Sequence, residues 1–380
     1  MDTLTHALSG ALLARAICVR TPALVPVAPL TAPAAGRFSA PWDGRAGALA
    51  PWQAVVVGTV AAAFPDIDFV VGWAGEMAYL RHHRGITHSL LLAPLWAALL
   101  AWIMSRWFAL TREQTGGWKS LYVIALAAIA IHIAGDWITQ FGTMMLAPLS
   151  DARFGLGAMF IIDLVFSGVL VAGLVAAAVL PRRRWPAVAG LMLACGWVAL
   201  AWDARGDAIA EGQRYAQRAG ITAVEVEAMP RPASPFNWTV AVFDGERYHV
   251  AHLNTRRTEP LVATADDHFV RRFSAPYEPV AQAEWRAMPR FGNGAEAAWV
   301  REAWQHEALA TYRWFAAAPV LVKTLERTNG DGSVERCAVF GDLRFGFPGR
   351  EEAPFRYGVC LNGGHDATLV KLDLGRLLPV

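Results

Sequence analysis

Arg81-His82-His83-Arg84-Gly85-Ile86-Thr87-His88-Ser89 stands between two apolar runs, residues 52–73 and 90–108, that carry almost no other charge. Imidazole is the commonest protein metal ligand, and guanidinium is the usual clamp for phosphate or carboxylate. Such groups are costly beside hydrocarbon, so the cluster marks a functional site unless it is only a juxtamembrane basic loop. The choice turns on where the other polar residues of the apolar stretches fall: His6, Asp66, Asp68, His132, Asp136 and Asp163.

The chain has 380 residues, 55% hydrophobic and 17% charged, with a mean hydropathy of +0.31. That is too apolar for an ordinary soluble domain and too charged for a chain embedded throughout. Residues 1–205 hold 14 of the 34 Lys/Arg and 10 of the 32 Asp/Glu; residues 206–380 hold 20 and 22. The expected organisation is a transmembrane domain over 1–205 and a soluble α+β domain over 206–380. Neither half has the basic stripe of a nucleic-acid binder. Cys18, Cys195, Cys337 and Cys360 make no CxxC pair or zinc ribbon.

Asp2 and His6 stand where a signal peptide would carry its basic segment, so residues 3–19 read as a helix capped by Asp2 or Thr3, with His6 and Gly10 on one face. Residues 21–51, rich in Pro, Ala and Gly and carrying Arg37 and Arg45, read as a loop. Five spans are expected after the N-terminal helix: residues 52–73, 90–108, 121–139, 160–180 and 186–202. In the first, Pro65 should kink the helix or start a new one. A break there would let Asp66 and Asp68, which face different sides of a regular helix, turn toward one site; otherwise Asp66 is an N-cap and Asp68 has no role. In the third, His132 and Asp136 at i, i+4 can reach one metal, or the carboxylate can merely orient the ring.

Ten basic residues (Arg15, Arg20, Arg37, Arg45, Arg106, Arg112, Lys119 and residues 182–184) fall on one side of these spans, and Arg81, Arg84 and Arg153 on the other. The positive-inside rule then places both termini outside the cytoplasm. His6, Asp66, Asp68, His83, His88, His132, Asp136 and Asp163 come to one depth, toward the outer leaflet.

Met1-Asp2-Thr3-Leu4-Thr5-His6, Pro65-Asp66-Ile67-Asp68, His83-Arg84-Gly85-Ile86-Thr87-His88-Ser89 and His132-Ile133-Ala134-Gly135-Asp136-Trp137-Ile138-Thr139 resemble the signature of the bacterial inner-membrane metal-dependent hydrolases, the YdjM-like proteins. Phe160-Ile161-Ile162-Asp163 is similar to the later motif of that family, with Leu164 in place of proline. The resemblance runs in matching order through residues 1–205 and implies a metal site at His6, Asp66, Asp68, His83, His88, His132 and Asp136. It also implies a distant relationship to zinc-dependent phospholipase C, and it assigns no substrate.

In the second half, residues 238–243 and 248–253 alternate as strands about Asp244-Gly245. Residues 296–315 have helical spacing, with Trp299, Trp304 and Trp314 read as core. Residues 319–327, 337–345, 355–361 and 367–372 read as strands, with a turn at Asn329-Gly330-Asp331-Gly332, giving a mainly antiparallel α+β domain. His249, His252, His268, His306 and His365 share no spacing and read as surface or core residues.

The expected activity is hydrolysis of an ester or phosphoester in a membrane lipid or lipid-like substrate, at the bacterial inner membrane. One or two divalent ions, zinc first among them, would supply the chemistry. Asp66 or Asp68 would take the proton, and Arg84, with Arg81, would hold an anionic headgroup. The alternatives are an assembly or stress protein with a structural metal, or a transporter, for which no inverted repeat is evident. Cys337 and Cys360 could pair if the second half is extracytoplasmic, but nothing else calls for a staple, so two free buried thiols are the favoured expectation.

Overall fold

The computed structural model describes residues 1–18, 49–108, 117–328, 334–350, 352–362 and 366–380. The expected loop at 21–51, with Arg37 and Arg45, falls almost wholly outside these residues, as do Arg20, Arg112, the Asn329–Gly332 turn and His365.

Helix α1 (Thr3–Ile17) starts where the Asp2 carboxylate accepts the Thr5 amide at 3.0 Å. It lies against α2 (Pro51–Ala63), and the approach is backbone to backbone. A Cβ on Gly10 would come 2.3 Å from the Gly58 carbonyl oxygen, so only glycine permits this crossing. At Phe64 α2 gives way to a 3₁₀ stretch (Phe64–Ala74), the change of course expected at Pro65, which has no N–H to continue the ladder. Helix α3 (Glu76–His82) and a 3₁₀ turn (Ile86–His88) carry the histidine stretch into α4 (Ala93–Trp107). Helices α5 (Gly117–Trp137), α6 (Leu164–Val179) and α7 (Trp185–Ala219) complete the helical half. Besides α2, α1 touches α5, α6 and α7, so it is the centre of the bundle.

Among the described residues, three helical segments are long and apolar enough to cross a membrane: Pro51–Ala74, Gly117–Trp137 and Trp185–Ala219. A fourth is reached if Glu76–His88 and Ala93–Trp107, bent by 76°, count as one broken span. The expected five is therefore not reached. The 160–180 segment contracts to the 16 residues of α6, about 24 Å of helix, because Asp163 caps it late and the residues before it are not helical.

The second half contains two five-stranded sheets. Strands β1 (Glu225–Pro230), β2 (Asn237–Phe243) and β3 (Arg247–Asn254) pair antiparallel, and β3 also pairs with β4 (Glu278–Pro279) and β5 (Arg286–Pro289). The other sheet is an antiparallel meander of β6 (Pro319–Thr328), β7 (Val334–Asp342), β8 (Tyr357–Asn362), β9 (Asp366–Asp373) and β10 (Arg376–Pro379). The short helix α8 (Phe269–Ser274) lies between β3 and β4 in sequence. The helical pattern over 296–315 is realised as two pieces, α9 (Glu296–Gln305) and α10 (Ala310–Phe315), parted at His306. Their Trp304, Tyr312 and Phe315 form one core with Phe340 and Tyr357.

Cys337 and Cys360 stand directly opposite on β7 and β8 and are joined by a disulfide, which corrects the expectation of free thiols. The antiparallel register alone puts the two side chains face to face, a proximity that composition could not supply. Helix α7 runs unbroken through position 205 and lays Gly212 on the first sheet, where a Cβ would meet Val226 at 2.6 Å. The second sheet docks on α3: Lys371 donates to Glu76 at 2.6 Å, and Tyr357 donates to the same carboxylate. Leu80 and Phe141, which flank the histidine stretch, join the aromatic core of that sheet.

Candidate metal centre

Four pieces of backbone deliver the polar residues to one point. His6 comes from the first turn of α1, Asp66 and Asp68 from the 3₁₀ stretch, His83 and His88 from the connection to α4, and His132 and Asp136 from the last turns of α5. The loop after α5 clasps the histidine stretch: Met144 N–H donates to the Arg84 carbonyl and Leu90 N–H to the Met145 carbonyl, both at 2.9 Å. Arg84 itself has a φ of +63°, a left-handed turn that aims a non-glycine side chain inward.

His132 Nδ1 lies 2.6 Å from the Ala62 carbonyl oxygen, which can only accept, so the proton of that ring sits on Nδ1. His88 Nδ1 lies 3.2 Å from Asp68 Oδ2 and is held the same way. Both rings therefore turn Nε2 toward the centre, and these two atoms are 2.9 Å apart. Two imidazole nitrogens at that separation share a positive charge, either a proton on one Nε2 or a cation bound beside both. Asp136 Oδ2 is 3.0 Å from His88 Nε2 and 3.4 Å from His132 Nε2, and Asp66 Oδ1 is 3.6 Å from each. The edge of a tetrahedron around a zinc-sized ion with N and O ligands is about 3.3 Å. The five measured separations scatter about that length, so the donor set fits a divalent ion.

His6 offers a donor to the same point, its ligand atom lying within 4.8 Å of those of Asp66, His132 and Asp136, and the remaining groups orient these donors. Asp68 accepts from His83 Nδ1 at 2.7 Å, the Arg84 amide at 2.9 Å and Thr87 Oγ1 at 3.0 Å as well as from His88, so its lone pairs are spent. Thr3 Oγ1 donates to Asp66 Oδ2 at 2.6 Å. His6 stacks on His132 at 3.7 Å and puts Nε2 3.1 Å from Asp136 Oδ1, while its Nδ1 has no hydrogen-bond partner among the described residues. Arg84 Nη2 holds Asp136 Oδ1 at 2.9 Å, and the Met1 nitrogen contacts the same oxygen. Three carboxylates face one guanidinium here, a negative excess of side-chain charge that suits a bound cation.

All seven residues that sequence reasoning placed at the metal meet here; other expectations change. Arg84 is not a free headgroup clamp: it is 2% exposed and committed to Asp136 and to Thr139 Oγ1 at 3.1 Å. Removing one partner of such a buried pair costs about 3–5 kcal/mol. Arg81 turns away to Asp151 at 2.8 Å and to the face of Trp314. His82 is exposed. Asp68, a possible base in the sequence reading, is saturated by donors. Asp163 lies outside the cluster: it caps α6 through the Phe166 amide at 2.8 Å and accepts from Trp197 Nε1 at 3.0 Å. The sequence reading missed Thr3, Thr87, Thr139 and the Ala62 carbonyl. The threonines stand one to three residues from a singled-out His or Asp, a cue available in advance; the carbonyl left none.

A family model described as YdjM inner membrane protein matches residues 1–207, which contain every donor of the centre. The chain belongs to the YdjM inner membrane protein family. The match ends inside α7, so the two sheets lie beyond the YdjM region. Bacillus subtilis (strain 168) YfhP, described as an uncharacterized protein, is 28% identical over 112 residues, 29% of this chain and 33% of its own. The chain thus spans about a third of that relative's length. No solved structure matches.

Proposed function

We propose that this YdjM-family membrane protein is a metal-dependent hydrolase that cleaves an ester or phosphoester bond of a lipid-like substrate. The observation that carries the reading is the pair of Nε2 atoms 2.9 Å apart, flanked by Asp66 and Asp136 at a spacing that suits one divalent ion. His88, His132, Asp66 and Asp136 would hold the ion, with Asp68 and the Ala62 carbonyl fixing the two rings. Arg84 already occupies the Oδ1 side of Asp136, which argues against a second ion there. When bound, the ion would supply Lewis acidity and a water of lowered pKa. His83, 12% exposed and oriented through Nδ1 by Asp68, is placed to accept a proton at Nε2. Asp66, 13% exposed, is the side of the cluster open to a reactant.

A structural metal is the second reading, favoured by the burial of His88, His132 and Asp136, each fully inaccessible to solvent. Metal analysis of the purified protein tests the shared premise. Wild type should carry about one ion per chain, His88→Ala and Asp136→Ala should lose it, and His306→Ala, whose ring only caps Ala308, should keep it. Equal metal in all four proteins ends both readings. A screen of ester, phosphodiester and phospholipid substrates then separates them: a hydrolase loses turnover but not metal on His83→Gln, whereas a structural site shows no turnover in wild type.

A further inference from the structure

Beside the candidate metal centre, where the helical half meets both sheets, is a cavity of about 410 Å³ whose walls include Phe141, Arg153, Arg205, Trp314, Phe315 and Arg344. Its volume is that of a small-ligand site. Its unusual member is Arg153. Nη2 donates to the carbonyls of Phe141 at 3.1 Å and Gly142 at 2.9 Å, and Nη1 to that of Leu80 at 3.5 Å. Its guanidinium lies 4.8, 5.1 and 5.2 Å from the ring centres of Phe141, Phe315 and Trp314.

The cations around it all have acids. Arg84 holds Asp136, Arg344 holds Asp342 at 2.7 Å, Arg205 holds Glu227 at 2.9 Å and Arg81 holds Asp151. Among the described residues no carboxylate pairs with Arg153; Asp151, Glu225 and Glu227 also line the cavity, but Asp151 is engaged by Arg81 and Glu227 by Arg205. Arg344 sits 5.1 Å from the same Phe315 ring, and Arg84 sits 4.7 Å from the same Phe141 ring. Burial, then Arg344 and Arg84, press the pKa of Arg153 down to about 9. A half-buried cation that is repelled by its neighbours and faces a cavity lacks an anion. One guanidinium satisfies the coplanar oxygens of a carboxylate, whereas the tetrahedral oxygens of a phosphate meet guanidiniums from several directions.

We propose that this cavity binds a phosphate group, free or esterified, with Arg153 as its charge partner and Arg205 and Arg344 flanking it. Its level along α7 is that of Trp202 and Arg205, where the apolar part of the helix gives way to Asp203, Arg205, Asp207 and Glu211, the depth at which lipid headgroups lie. The site needs no metal and stands apart from the hydrolase reading.

The test is thermal stability of the full chain in neutral detergent. It is titrated with inorganic phosphate at constant ionic strength and, separately, with phosphatidylglycerol or phosphate-free diacylglycerol in mixed micelles. Wild type should be stabilised saturably by phosphate, phosphatidylglycerol or both, and not by diacylglycerol; the responding probe identifies the source. Arg153→Gln should weaken the response at least about tenfold, and Arg153→Lys should weaken it less. Ala317→Trp, from an exposed position in the cavity wall, should block it without removing a charged group. If Arg153→Gln does not fold, the Ala317→Trp result decides. No response in wild type, an equal response to diacylglycerol, or an unchanged response in Ala317→Trp overturns the proposal.

Discussion

Gly10 and Gly58 meet backbone to backbone, and a Cβ on Gly58 would come 2.3 Å from the Gly10 carbonyl oxygen and 2.6 Å from Ala14 Cβ. This contact sets how far α1 stands from α2, and so where His6 sits relative to Asp66 and His132. Gly58→Val should push the helices apart and cost about 1–3 kcal/mol as an overpacked contact. The melting temperature should fall, and metal content should fall with it. A variant that melts and binds metal like wild type would show that α1 is not positioned by this crossing.

The disulfide makes a direct chemical prediction. With the denatured, unreduced protein, a thiol reagent should label Cys18 and Cys195 alone. Four labelled thiols would refute the bond. The double replacement Cys337→Ser, Cys360→Ser should lower stability by about 3 kcal/mol on the chain-entropy model for a loop of this size. Such bonds persist chiefly in oxidising compartments.

His252 should make the second half acid-sensitive. Thr239 Oγ1 accepts from Arg231 Nε at 2.6 Å, so its own proton goes to His252 Nδ1 at 2.8 Å. Burial, then Arg231 and Arg286, hold the ring's pKa down to about 4. The unfolded ring, near 6.5, binds more protons than the folded one across that interval, so stability falls as pH drops from about 6.5 to 4, by at most about 3 kcal/mol. His252→Gln should flatten the wild-type slope of melting temperature against pH in this window. Identical slopes would mean that other groups govern the acid response.

Orientation is checked by reporter fusions. A fusion after Gly220, where α7 ends, should be active only as an extracytoplasmic reporter, and one within residues 182–184 only as a cytoplasmic one. The opposite pattern would invert the orientation and with it the depth assigned to the metal centre.

The clustering of the buried His and Asp residues was legible because it breaks a rule: His and Asp inside apolar runs are expensive, so each one needs a reason to be there. The break at Pro65, the cap at Asp2 and the hairpin about Asp244-Gly245 were legible for local reasons, since each follows from the chemistry of one or two residues. Arg84 was misread because a guanidinium near a carboxylate and one near a lipid headgroup look alike until the backbone φ sends the side chain inward. Asp163 was grouped with the cluster as a polar residue of an apolar stretch at the same depth, although its partner, the Phe166 amide, lies three residues away. The short strands β4, β5 and β10 owe their existence to neighbours rather than to pattern, and no periodicity announces two to four residues.

Helix α7 has 35 residues, a rod of about 52 Å. Its apolar part belongs to the bundle, and its far part carries the first sheet at Gly212. With no flexible tether at that point, the sheets cannot pivot freely about the membrane half: tilting one tilts the other, as a mast moves with its deck. Cutting the chain at residue 205 would sever a helical ladder rather than release a domain, and it would uncover the Ala204 and Ala208 face that the first sheet now covers. The His/Asp cluster's helical bundle and the first sheet are thus joined along one continuous helix.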